Sequence, residues 1–160
     1  GAYEVIWTPG HSDGLAVFWN AERSILLAND MLLAGITPNV SVWPGSRPNP
    51  LADYLSSLQR VAALGARLAL TGHRALIRDV AGRAREIIAH HDDRLARVAG
   101  AASAAPEGAT AWEVCRRIFP VDALTLHQIR FAMAETLAHL VYLCEEGRLR
   151  KEGMRYRALA

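Results

Sequence analysis

Four short apolar runs, each halted by turn residues or a polar side chain, constrain this chain more than any other feature. "YEVIW" (residues 3–7), "LAVFW" (15–19), "SILLAND" (24–30) and "ARLALTGH" (66–73) are rich in β-branched, aromatic and leucine side chains. Runs this short, bounded by turn signals, read as buried strands. Between the third and the fourth lies "ITPNVSVWPGSRPNP", whose prolines and glycine forbid regular structure for long, so it reads as a surface loop. Asn49-Pro50 then has the form of a helix start, with proline in the first turn. The helix behind it is expected to turn Leu51, Leu55, Leu58, Val61 and Ala62 inward. A longer helix follows over about 77–98, with Val80, Ile87, Ile88, Leu95 and Val98 inward. Strands alternating with helices predict a layered α/β unit over residues 1–98.

"AGAASAAPEGA", residues 99–109, is the clearest linker signal, small and weakly polar. Beyond it, residues 110–160 follow a different pattern. Thr110-Ala-Trp-Glu113 is a capping box and opens a short helix that Pro120 ends. A helix over 125–146 repeats apolar residues at Ile129, Met133, Leu137, Leu140, Val141 and Cys144, and Gly147 stops it. "RLRKEGMRYRAL" reads as a hairpin turning at Glu152-Gly153. Helix, helix, then helix with hairpin is the order of a small winged-helix-like domain.

Composition adds exclusions. Hydrophobic residues make up 51% and charged residues 21%, enough for a core and against disorder. A net charge of +2 does not call for a polyanionic partner. Cys115 and Cys144 form no C-x-x-C pair, which favours a reducing compartment over a disulfide. No apolar run reaches the roughly 18 residues of a membrane span. No signal peptide is expected ahead of the first strand. The expectation is a cytoplasmic protein with no membrane partner.

Three residues share one setting. His11, in "TPGHSDG", follows the first strand; Asp30 ends the third; His73 ends the fourth. Loops at the C-terminal ends of strands are where sheet proteins build sites. Imidazole nitrogen and carboxylate oxygen together suit zinc, manganese or iron(II). Each residue alone reads as a turn former or a cap, and it is their joint placement that points to metal.

These stretches resemble the second half of the metallo-β-lactamase superfamily, whose members read T-P-G-H-T-x-G-H, then G-D at a strand end, then a final G-H. "ITPNVSVWPGSRPNPLADYLSSLQRV" and the "AHHDDRL" helix are similar to a bacterial branch related to hydroxyacylglutathione hydrolases, which often ends in a winged-helix-like domain. The resemblance implies the second half of an αββα sandwich and two zinc ions, with manganese or iron as substitutes. His11 would ligate the first metal, Asp30 would bridge both, and His73 would ligate the second. A metal-bridging hydroxide would attack an ester or thioester.

Two departures are small: Leu15 stands at the motif's second histidine, and "AND" replaces G-D. One is large. The family's H-x-H-x-D-H, in the first half of the sandwich, has no counterpart among these residues. The chain alone is therefore expected to bind metal weakly, to contribute no complete catalytic set and to be inactive. It reads as the C-terminal portion of a longer hydrolase. Its apolar sheet face is expected to need a cover, either the missing N-terminal half or a second copy.

Other features stay secondary. His90 and His91 read as a solvated helix face, with His90 the candidate to reach a pocket. Trp43 either lines a substrate channel or pins its loop. His127 and His139 read as structural. Arg148, Arg150, Lys151, Arg155 and Arg157 crowd the hairpin against Glu152 alone and are the candidate phosphate contacts. The helix before them carries Glu135, Glu145 and Glu146 against Arg130, a poor recognition surface. A nucleic-acid-binding or endoribonuclease-like module is thus the alternative, and hydrolysis of a small ester or thioester the first reading.

Overall fold

A computed structural model describes residues 1–73 and 75–159. The chain divides into two compact units, Gly1–Val40 with Ala52–His90, and Ser41–Leu51 with His91–Ala160. Among the described residues no helix is long and apolar enough to cross a membrane.

The first unit holds β1 (Glu4–Trp7), β2 (Ala16–Asn20), β3 (Ile25–Asn29) and β4 (Leu68–Thr71) in one sheet of that order. β1, β2 and β3 pair antiparallel, and β4 joins β3 in parallel. A parallel neighbour needs a crossover, and here it runs through α1 (Pro50–Ala63). β2 starts one residue later than the apolar run because Leu15 belongs to the turn: its amide donates to Ser12 O, and its carbonyl accepts from Thr8 N at 2.8 Å.

The two faces of this sheet differ. Val17, Leu26 and Ala69 occupy one face and are fully buried, as are Tyr54, Leu58, Ala84 and Ile87 on the unit's helices. The other face carries Val5, Phe18, Leu27 and Leu70 in one cross-strand row. Val5 there is 64% exposed and Leu70 38%.

α2 (Val80–Ala102) begins later and ends later than its apolar pattern suggests. Asp79 Oδ1 accepts from Gly82 N at 2.8 Å in the manner of an N-cap, while Ile77 pairs with Ala69. At the other end Ala99, Ala101 and Ala102 favour helix, so α2 runs four residues into the stretch read as linker. Its buried series is Val80, Ala84, Ile87, His91, Leu95, Val98 and Ala102, with Ile88 half-buried. The expectation for His91 is overturned: it takes an inward helical position and is 1% exposed.

The second unit contains α3 (Ala111–Ile118), α4 (Leu126–Glu145) and a sheet of β5 (Ala109–Thr110), β7 (Arg155–Ala158) and β6 (Leu149–Glu152), in that order. Thr110 and Glu113 form the expected capping box, and Thr125 with Gln128 forms a second. At the end of α4, Gly147 adopts φ +66°. Its amide bonds Cys144 O, and Arg148 N bonds Leu143 O, the paired bonds of a Schellman stop. The hairpin turns at Gly153-Met154, one residue beyond expectation.

The inward face of α4 also differs from expectation. Leu140 is buried as expected, but so are Ala132, Thr136, His139 and Leu143, whereas Ile129, Met133 and Leu137 are half-exposed. Small side chains let the buried face approach its neighbours closely, and the larger ones line an open hollow of about 360 Å³ beside Trp43 and Trp112. Both cysteines are free thiols.

Candidate functional site

His11 is set by a turn that leaves little freedom. Thr8, Pro9 and Gly10 are buried. Gly10 has φ +134°, and a Cβ there would run into the backbone of Tyr54, 2.5 Å from its Cα. Only glycine satisfies both conditions. Ser57 Oγ donates to Pro9 O at 3.0 Å, and Arg60 Nη2 to Trp7 O at 2.8 Å, so α1 anchors the turn from below.

The imidazole of His11 is oriented as well. Its Nδ1 lies 2.8 Å from Asn39 O. A carbonyl only accepts, so Nδ1 carries a proton, and in the neutral ring Nε2 keeps a lone pair. That is the arrangement of metal-binding histidines, whose second nitrogen is held by a carbonyl or carboxylate. His11 Nε2 lies 3.9 Å from Asp30 Oδ2.

Asp30 follows β3 through a left-handed residue: Asn29 has φ +48° and donates from Nδ2 to Ala16 O at 2.8 Å. The β3–β4 register shifts at this point. Asp30 Oδ1 is buried and accepts no hydrogen bond from the described residues. A buried carboxylate oxygen without a donor is costly unless a cation supplies the compensation.

His73 arrives by the parallel strand. Gly72 N bonds Asn29 O at 2.9 Å, and a Cβ on Gly72 would collide with Asp30 Oδ1. His73 Nε2 stands 3.6 Å from that same oxygen, with its side chain 70% exposed. Each oxygen of Asp30 therefore faces a different histidine.

Zinc donors sit about 2.0–2.2 Å from the ion, so two donors on one ion lie roughly 3–4 Å apart. Both histidine–aspartate pairs match that spacing. A whole site is another matter: among the described residues no group of three or more His, Cys, Asp or Glu could hold a metal ion. The residues fit part of two coordination shells joined by one carboxylate, and they do not fit a complete one.

The remaining candidates fall elsewhere. His90 is half-buried in the first unit and lines a polar hollow with Gly35, Ile36, Thr37, Arg83 and Glu86. Trp43 lies in the second unit, packed edge-on to Phe131 at 6.1 Å, with the Arg130 guanidinium 5.7 Å from its ring. His127 is exposed and packs on Phe131 at 4.8 Å.

Sequence reasoning missed the environment of His91. Its Nδ1 lies 3.1 Å from His139 Nε2, and His139 Nδ1 lies 2.8 Å from Glu135 O. Since the carbonyl accepts, His139 donates from Nδ1, and in the neutral ring its Nε2 accepts from His91. The signal was present in the helical spacing Ala84, Ile87, His91, Leu95.

The hairpin cations are largely engaged. Glu152 pairs with Arg150 at 2.9 Å and with Arg157 at 2.8 Å, and Arg155 reaches Glu113 of α3 at 3.5 Å. Lys151 Nζ lies 5.7 Å from the centre of the Tyr156 ring. Glu152 is thus not the only opposing carboxylate, as Glu113 joins it.

Both parts of the chain resemble known proteins. Residues 1–73 match the metallo-β-lactamase superfamily model, and residues 95–158 match the model of the metallo-β-lactamase-like C-terminal domain. A metallo-β-lactamase family protein from Thermus thermophilus is 46% identical, with a TM-score of 0.86 over 98% of this chain and 49% of that one. A β-lactamase domain protein from Burkholderia ambifaria is 34% identical, with a TM-score of 0.90 over 98% of this chain and 48% of that one. No curated protein matches. The chain spans about half the length of these solved structures. It is built from metallo-β-lactamase superfamily domains and belongs to that superfamily.

Proposed function

We propose that this chain contributes one half of a dinuclear, zinc-dependent hydrolase that cleaves esters or thioesters. The observation that carries the reading is Asp30, whose two oxygens face different histidines, one of them buried with no hydrogen bond from the described residues. Superfamily members are generally hydrolases that use divalent metals, which supplies the reaction class. When bound, such ions provide Lewis acidity toward the acyl oxygen and the attacking water. The chain's own part is positional: Asn39 O fixes the His11 tautomer, and Gly72 leaves room for Asp30.

The donors this chain lacks would come from a second β-layer seated on the apolar row of Val5, Phe18, Leu27 and Leu70. In this reading the second unit is a winged-helix-like accessory to the hydrolase. Nucleic-acid binding is the weaker alternative, since Glu152 and Glu113 already hold three of the hairpin arginines.

Zinc titration of the 160-residue chain tests the donor set. The expected result is weak binding that His11→Ala and His73→Ala each reduce and that Asp30→Asn abolishes. Affinity unaffected by Asp30→Asn would overturn the reading. The chain alone is expected to show no thioester turnover. Co-folded with a superfamily half bearing H-x-H-x-D-H, it should gain turnover that His11→Ala removes.

A further inference from the structure

We propose that Tyr54 is a positioning residue for the metal donors, tying the His11 turn and the Asp30 turn together from one point on α1. This rests on the reading of His11 and Asp30 as ligands. The base of Tyr54 meets the first turn: Gly10, one residue before His11, sits so close that a Cβ would lie 2.6 Å from the Tyr54 amide nitrogen. The tip of the same side chain meets the second turn: its hydroxyl donates to Met31 O at 3.0 Å, one residue after Asp30. One residue therefore touches both ligand-bearing segments, its backbone at Gly10 and its hydroxyl at Met31 O. Tyr54 is fully buried, so the ring has no free volume in which to swing.

Burial also pushes the phenol pKa far up, against a smaller opposing effect of Arg83. The hydroxyl thus stays a donor across the working pH range. The neighbouring anchors on α1 behave differently. Ser57 and Arg60 reach Pro9 and Trp7, both on the His11 side. They hold one turn, whereas Tyr54 couples two.

That contrast supplies the test. Zn²⁺ is titrated into the 160-residue chain, and the imidazole signals of His11 and His73 are followed by NMR. Tyr54→Phe keeps the ring and the Gly10 contact but loses the bond to Met31. It should weaken zinc binding at both histidines by roughly threefold to tenfold, the worth of one hydrogen bond, because both share Asp30. Ser57→Ala should weaken binding at His11 alone. Ile87→Val, a buried change away from the turns, serves as the stability control. It should lower the melting temperature and leave zinc affinity unchanged.

Wild-type affinity in Tyr54→Phe, with Asp30→Asn abolishing binding, would overturn the tie and leave the donor reading intact. An affinity loss in Ile87→Val matching that in Tyr54→Phe would also overturn it, since general loosening would then suffice. Should Asp30→Asn leave binding unchanged, the donor reading falls, and the tie falls with it.

Discussion

At Asn29 the backbone turns through φ +48° immediately before Asp30. The superfamily pattern has glycine at this place, and the left-handed region explains both residues. Glycine enters it without steric cost, and asparagine is among the few side chains that tolerate it. Here the amide also bonds Ala16 O, which secures the turn to β2. Asn29→Gly is therefore expected to fold with stability within about 1 kcal/mol of the parent. Asn29→Val should lose roughly 1–3 kcal/mol, measured by denaturant unfolding. Gly72 makes a separate demand, because a methyl group there occupies the space of Asp30 Oδ1. Gly72→Ala should weaken zinc binding by roughly tenfold or more, in the range of other changes that disturb a ligand's support. Unchanged affinity in that variant would mean that the carboxylate is not held where the two histidines meet it.

At the scale of elements, Glu113 closes the N-terminus of α3. Its carboxylate accepts from the Thr110 amide at 2.7 Å and from the Thr110 hydroxyl at 3.0 Å. The amide bond, then the hydroxyl bond, hold its pKa below the ordinary carboxylate value. A lowered pKa means that the folded state favours the charged form. The stabilisation is complete above the ordinary carboxylate value and is lost as the pH falls through the lowered one. Acid titration followed by the Trp112 fluorescence should show α3 loosening in that range, and Glu113→Gln should remove the transition. The Thr110–Glu113 capping box was legible from residue types alone, as were the glycine stop of α4 and the four strands, whereas the Thr125–Gln128 box emerged only in the structure. The meeting of His11, Asp30 and His73 was legible for the same reason, since strand ends place side chains predictably. What escaped was decided by tertiary packing. On α4 the large apolar stripe reads as core, yet Ala132, Thr136 and His139 take the buried side. Tyr54 and His91 lie at inward helical positions, but polar atoms disguise them in a hydrophobic pattern. Their partners, Met31 and His139, are far away in sequence.

For the molecule as a whole, the sheet of the first unit has one buried face and one that is not. Val5, Trp7, Phe18 and Leu70 all stand at 37% exposure or more, and strand pairing aligns Val5, Phe18, Leu27 and Leu70 in a single row. Scattered surface leucines need no account, but an aligned apolar row across four strands does, because it gains free energy whenever water is removed from it. The row also lies on the sheet whose strand ends carry His11, Asp30 and His73, so a layer that covers it is suitably placed to bring further donors. Left uncovered, the face should drive self-association. Sedimentation of the isolated chain is expected to show concentration-dependent oligomers. Phe18→Lys combined with Val5→Lys should shift them toward monomer without loss of helical signal, because neither side chain contributes to the buried face. The same double variant should abolish pairing with a superfamily half that bears H-x-H-x-D-H, since that half would use the same row. A chain that stays monomeric at every concentration, or a double variant that still pairs, would mean that the second layer does not bind here. The source of the remaining metal donors would then have to be sought on another surface.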